Sequence, residues 1–267
     1  MPWIGHESPW AIFVSEVMLQ QTQTFRVIEP WKNFLEAFPA PVDCAKAPLS
    51  RVIKLWSGLG FNRRAKNLHE AAKVMVRDFG GEVPRGVHEL KSLPGIGDYT
   101  AHAVASFAFG EKVAVLDTNV GRVLARALAN RTLSVKEAKS LADDVLDRRQ
   151  PAKWNQSMLD LGAQFCKALP LCDECPVNAV CLFYRSGGDD PAPKSGGVSK
   201  PQSKFEGSDR QVRGQILKAL GQDEIVSSTA MRRKFAHVDT VRYEAILEGL
   251  VIDGLVGRTA RSLKLVD

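Results

Sequence analysis

The chain has 267 residues, enough for one large domain or two to three small ones, and with 45% hydrophobic and 25% charged residues it reads as soluble. A net charge of +6 and a pI near 9.1 fit a polyanionic partner without naming one. No apolar run reaches the roughly 18–20 residues of a membrane span, and Met1-Pro2-Trp3 does not start a signal peptide. A cytoplasmic, nucleoid-associated chain is therefore expected, one in which clustered cysteines point to metal rather than disulfides.

Ser8 and Pro9 predict a helix start, and the apolar run from Trp10 to about Thr24 predicts a central helix. Glu16 stands inside it. Two readings are open: a solvated stripe shared with Gln20 and Gln23, or a carboxylate that is paired or lines a cavity. Helices of ordinary length continue to residue 90. Leu55-Trp56-Ser57-Gly58-Leu59-Gly60-Phe61 reads as a helix ending in a glycine turn, followed by the basic run Arg63-Arg64-Ala65-Lys66. An aromatic beside cations on a turn suits nucleic-acid contact; a capped helix with a core Phe and a solvated basic face fits equally.

Leu93-Pro94-Gly95-Ile96-Gly97 predicts a helix, a tight turn and a second helix whose first N–H groups could hold a phosphate. About twenty residues later Asp117 stands at the start of another helix, a place an N-cap also takes. Helical patterns follow over Val120–Leu128, Lys136–Asp147 and Trp154–Phe165. Cys166, Cys172, Cys175 and Cys181 have the spacing C-x5-C-x2-C-x5-C, which suits zinc or an iron–sulfur cluster. Cys44 reads as an ordinary buried thiol. Residues 186–207 read as a flexible linker. The tail, 208–267, reads as three helices, capped at Ser208 or Asp209, at Ser227 or Ser228 and at Asp239 or Thr240, plus a hairpin over Val256–Val266. That is a winged-helix pattern, with Arg232-Arg233-Lys234 as its basic cluster.

Taken together, Ser15-Glu16-Val17-Met18-Leu19-Gln20-Gln21-Thr22, Gly58-Leu59-Gly60-Phe61, the Leu93–Gly97 turn, Leu116-Asp117-Thr118-Asn119-Val120-Gly121-Arg122-Val123 and Asn155-Gln156-Ser157-Met158-Leu159-Asp160-Leu161-Gly162-Ala163 occur in one order. Over about residues 2–183 the chain resembles the MutY-type adenine DNA glycosylases of the helix-hairpin-helix, endonuclease III superfamily, in a short actinobacterial-like form. The resemblance implies a mainly α fold with two helical lobes and an iron–sulfur loop at 166–181 (residues 1–185), the linker, and the winged-helix-like domain. It implies a monomer that acts on double-stranded DNA bearing a mispaired or oxidised base, away from membranes.

The family's chemistry then maps onto numbered residues. Adenine is flipped out and its N-glycosidic bond hydrolysed opposite 8-oxoguanine or guanine. Glu16 would protonate N7, and apolar neighbours favour a carboxyl that keeps its proton. Asp117 would stabilise the oxocarbenium-like sugar, by charge or by covalent attack. Tyr99 and Asn119 would hydrogen-bond the two carboxylates. Tyr99 stands where related bifunctional enzymes place a Schiff-base lysine, which implies base removal without lyase activity. Gln156 would read the adenine edge, and Gln21 and Phe61 would fill and wedge the stack. Gln20 and Trp3 join the DNA-binding set. The amides of Gly95, Ile96 and Gly97 would hold a phosphate, with a monovalent cation in relatives. The four cysteines would carry a [4Fe–4S] cluster.

Three departures stand out. Ile4 replaces the family's arginine, the first cysteine gap is one residue short, and the tail is too short for the Nudix-like domain that reads 8-oxoguanine. The alternatives are thymine removal at T·G and a non-catalytic iron–sulfur DNA-binding protein. Glu16 argues against the first, because thymine excision needs no N7 proton donor. The pair Glu16 and Asp117 argues against the second.

Overall fold

The computed structural model describes residues 1–199, 204–223 and 225–267. The fold is mainly helical and divides into two compact units. One takes in Met1–Pro84, Glu89–Ile96 and Ser203–Asp267, the other Arg85–His88 and Gly97–Gln202. Among the described residues no helix is long and apolar enough to cross a membrane.

The first unit begins with α1 (Pro9–Leu19), α2 (Ile28–Ala37), α3 (Pro41–Lys46), α4 (Leu49–Leu55) and α5 (Arg63–Asp78). The Ser8 hydroxyl caps α1 by accepting from the Ala11 N–H at 3.3 Å, with Pro9 in the first turn. The helix is buried from Trp10 to Met18 and forms the centre of this unit. Two buried indoles are satisfied here: Trp10 Nε1 donates to the Phe38 carbonyl at 2.9 Å, and Trp31 Nε1 to the Ala11 carbonyl at 2.8 Å. The helix expected to reach Thr24 stops at Leu19. Gln20 leaves helical angles, Gln21 takes φ 56°, and a short 3₁₀ turn follows over Thr24–Arg26.

After α6 (Val87–Ser92) and the glycine turn, the second unit contains α7 (Asp98–Phe109), α8 (Thr118–Val123), α9 (Val135–Asp144), α10 (Pro151–Gln164) and α11 (Leu182–Ser186). α8 runs on as a π-helical turn, Leu124–Ala129, which stops at Asn130 with φ 46°. Ser134 and Glu137 form a capping box on α9.

Part of the segment expected to be a flexible linker over 186–207 is packed against this unit. Asp190 takes a forked pair from Arg126, with Nε to Oδ1 at 2.9 Å and Nη2 to Oδ2 at 2.6 Å. Ala192 is fully buried in a cluster with Val120, Leu124 and Leu133. The Ser195 hydroxyl accepts from the Leu133 N–H and donates to the Pro191 carbonyl. Gly196 donates to the Leu133 carbonyl at 2.6 Å, and a Cβ there would stand 2.4 Å from the Val135 nitrogen. Ser199 reaches the Thr118 hydroxyl. The glycine and serine that resemble spacer composition serve close approach here. Residues 200–203 of the expected linker lie outside the described residues.

The C-terminal segment folds as α12 (Asp209–Gln222), β1 (Val226–Ser227), α13 (Ser228–Lys234), α14 (Thr240–Ile252), β2 (Val256–Arg258) and β3 (Ser262–Leu265). Ser208, Ser227 and Asp239 cap its three helices. The antiparallel sheet has the order β1-β3-β2, with Val226 opposite Leu263 and Val256 opposite Leu265. The two-residue β1 was not legible as a strand in the sequence; the rest has the expected winged-helix pattern. Within the basic cluster, Arg232 is committed to the fold. It donates to the Phe235 and Val238 carbonyls and lies over the Tyr243 ring, which leaves Arg233 and Lys234 as the exposed cations. This segment completes the first unit: Lys66 Nζ donates to the Asp253 carbonyl at 2.9 Å, and the Ser50 hydroxyl to Asp267 Oδ1 at 2.6 Å.

Candidate active site

Glu16 lies in the middle of α1 and is 4% exposed, between Phe13 and Val17. Of the two readings left open by the sequence, the solvated stripe is the one that fails. Burying a carboxyl in such a place opposes the fold unless the neutral form, a partner or a function offsets it.

Gln21 and Phe61 hold the left-handed backbone region at φ 56° and 46°. Among the described residues, Asn130 is the only other non-glycine residue there. Such conformations cost on the order of 1–3 kcal/mol each and survive where the surroundings over-determine them. Arg64 supplies that restraint. Buried to 7% exposure, it donates to the Val17 and Met18 carbonyls, the Thr22 hydroxyl and the Leu59 and Gly60 carbonyls. The last carbonyls of α1 and the glycine turn are thereby tied to one guanidinium. Burial pulls Arg64 down to about 10. The sequence left this arginine either as a nucleic-acid contact or as part of a solvated basic face; nothing in it signalled burial. Phe61 is half-buried and Gln21 exposed, and both line one cavity.

Gln20 Nε2 donates to the Gly95 carbonyl at 3.4 Å. Gly95 takes φ 77°, and a Cβ on it would stand 2.5 Å from Asn67 Nδ2, so the turn needs glycine on two counts. Ile96 is buried, while Gly95 and Gly97 are exposed. Trp3 differs from its expected role. It is 6% exposed and packs edge-on against Trp31 with centroids 5.7 Å apart, so it is a core residue rather than a DNA contact.

In the second unit, Asp117 caps α8. Its Oδ1 accepts from the Val120 N–H at 2.8 Å and its Oδ2 from Asn119 Nδ2 at 2.8 Å. Burial pushes the carboxyl above its ordinary range, against the pull of these donors and of the Arg122 charge. The Asn119 amide is oriented in turn by Arg122, whose Nη2 donates to its Oδ1 at 2.6 Å and to the Gly162 carbonyl at 2.9 Å. Arg122 Nε donates to the Cys166 carbonyl at 2.7 Å. A continuous chain of hydrogen bonds therefore runs from the first cysteine to the carboxylate. Asn155, buried at 2%, bridges the Val115 N–H, the Val113 carbonyl and the Ser106 hydroxyl, fixing the approach to Asp117. Arg122 and Asn155 lie in the motifs that carry the resemblance, yet their bridging roles are visible only in three dimensions.

Tyr99 stands in the first turn of α7, half-buried, and lines a cavity with His102, Leu116 and Lys139. Gln156 Nε2 donates to Asp160 on its own helix at 2.9 Å. The four clustered cysteines are half-buried and line one cavity with Arg126 and Phe165. Burial, and next the nearness of Cys181 and Cys166, pushes the Cys172 thiol up. Arg126 Nη1 approaches Cys166 Sγ at 3.4 Å. Among the described residues no three His, Cys, Asp or Glu side chains converge on a single-ion site. The unmatched Cys44 is fully buried, as expected, and burial pushes its thiol up to about 12.

Residues 14–147 match the HhH-GPD superfamily of base excision DNA repair proteins, and the chain belongs to that family. It is 39% identical over 258 residues to an adenine DNA glycosylase of Mycobacterium tuberculosis, a span covering 94% of this chain and 83% of that one. Among solved structures it is similar to a thermostable thymine-DNA glycosylase at 30% identity and TM-score 0.64, over 69% of this chain and 88% of that one. It is also similar to a trapped endonuclease III–DNA covalent intermediate at 28% identity and TM-score 0.61, over 67% of this chain and 86% of that one.

Proposed function

We propose that the protein is an adenine DNA glycosylase of base excision repair, acting on adenine mispaired with 8-oxoguanine or guanine and leaving the strand uncut. One observation carries the choice of base. The chain is 39% identical to an adenine glycosylase over 94% of its length, C-terminal segment included.

Each residue then has a task. The buried Glu16 would deliver a proton to adenine N7, so that the base leaves with the electron pair of the broken C1′–N9 bond as a neutral molecule. The positive charge left on the sugar would be balanced by Asp117, whose two oxygens are already oriented by Val120 and Asn119. Water would then add at C1′ and pass a proton back to Glu16, which the first step had left ionised. Tyr99, an uncharged phenol where a lyase needs an amine, would leave the abasic strand intact. Gln156 would read the flipped base, Gln21 and Phe61 would hold the gap open, and the Leu93–Gly97 turn would grip a phosphate.

Cys166, Cys172, Cys175 and Cys181 would hold a [4Fe–4S] cluster. Four thiols on one cavity, with a buried arginine beside the first, fit that group. Its iron–thiolate bonds would tie the loop closed. Natively purified protein is expected to contain iron and acid-labile sulfide; stoichiometric zinc in an active sample would remove the cluster from this account.

The function is tested by single-turnover excision on duplexes pairing A with 8-oxoguanine, A with G, A with T, and T with G. Release of adenine from the first two, with strand breaks only after alkali, is the expected result. Release of thymine with adenine untouched would overturn it.

A further inference from the structure

The cavity that holds Gln21 and Phe61 is shared with the C-terminal segment. Its lining includes Arg63 and Arg64 from the α5 side and Arg210 and Arg213 from α12, with Asp253 as its one carboxylate. Four guanidiniums against one carboxylate leave the cavity net positive. Asp253 pairs with Arg213, and with Arg63 at 3.4 Å across an exposed edge. Arg210 lies over the Phe61 ring at 5.2 Å from its centroid, and Arg64 lies 5.5 Å from the same centroid. The Arg64 Nε–H is buried and has no hydrogen-bond acceptor among the described residues.

We propose that this cavity binds a backbone phosphate of the DNA next to the step that Phe61 enters, so that α12 is part of the DNA grip. The inference rests on the glycosylase reading above. If Phe61 enters the stack, the nearest anions are the phosphates on either side of that step, because successive phosphates of one strand lie only about 3.4 Å apart along the helix axis. A phosphate oxygen can accept from the buried Arg64 Nε–H and balance the excess positive charge of the lining. Gln21 and Phe61, both with left-handed backbone, stand in the lining of the same cavity.

The test uses the full chain and a duplex carrying a non-cleavable abasic analogue opposite guanine or cytosine, with affinity measured across a salt series. Arg210→Ala should weaken binding to both duplexes alike and reduce the slope of log K against log salt by about 1. Arg210→Lys should restore the slope, since it keeps the charge. Unchanged slope and affinity in a folded Arg210→Ala variant would overturn the proposal, and so would a loss confined to the guanine duplex, which would mean that the arginine reads a base. If the wild-type chain did not prefer abasic over intact DNA, the glycosylase reading would fall instead.

Discussion

Glu16→Gln is expected to lose adenine excision by roughly 10²–10⁴-fold, the usual worth of a general acid, while keeping its grip on DNA. The amide fills the same volume in a helix that is buried from Trp10 to Met18, so packing is preserved and only the transferable proton is lost. Single-turnover rates and duplex affinity measured on one preparation decide the matter. Excision near the wild-type rate would take the acid role away from Glu16.

Asp117→Asn is expected to lower the excision rate by about 10²–10³-fold, as for removal of one preorganised electrostatic stabiliser. Asparagine is as good an N-cap as aspartate, so α8 should survive. The local network will not be satisfied, however. Arg122 has no acceptor, so it fixes the Asn119 oxygen towards itself and the Asn119 NH₂ towards position 117. An amide at 117 keeping its oxygen on the Val120 N–H would turn a second NH₂ against that donor, a loss of about 1 kcal/mol.

The pH dependence has a definite sign. Burial raises the Asp117 carboxyl above its ordinary value. In the wild type, excision should fall as pH drops through that raised value, because the protonated group no longer balances a cation. This acid limb should vanish in Asp117→Asn. For stability the sign is opposite: a carboxyl with a raised folded value contributes below the ordinary carboxylate range and loses that contribution as pH rises through the folded value. The variant's melting temperature should therefore vary less with pH across that interval. An unchanged acid limb in the variant would assign it to another group.

Much of the local structure was legible because it is written in short-range chemistry. Ser8, Ser208, Ser227 and Asp239 cap helices where hydroxyl or carboxylate precedes an apolar run. What was illegible depended on partners far away in sequence. The residue pattern left Glu16 between a solvated stripe and a buried site, the resemblance favoured the second, and the cover over α1 from Trp10 to Met18 decides it. Arg64 looked like one cation among three until its five acceptors, up to 47 residues distant, were in view. The α1 boundary was misjudged for the same reason, since the residue that ends that helix's carbonyl ladder comes from α5. Trp3 resembled a DNA-facing residue by position, whereas Trp31 gives it a core partner. The spacer-like run near residue 190 carried glycine for contact with Val135, which composition does not distinguish from glycine for freedom.

The divided make-up of the first unit bears on how the chain is made. Lys66 bonds to a carbonyl 187 residues later and Ser50 to a carboxylate 217 residues later. At roughly 5–20 residues per second, the first of those partners emerges about 10–40 s after Lys66 does. During that interval the faces of α4 and α5 that will receive the C-terminal segment stand exposed. The second unit lies almost wholly within Gly97–Gln202 and needs no such wait. Synthesis therefore favours an order in which the middle of the chain is finished before its beginning, and the long-range contacts of the first unit make its closing step slow.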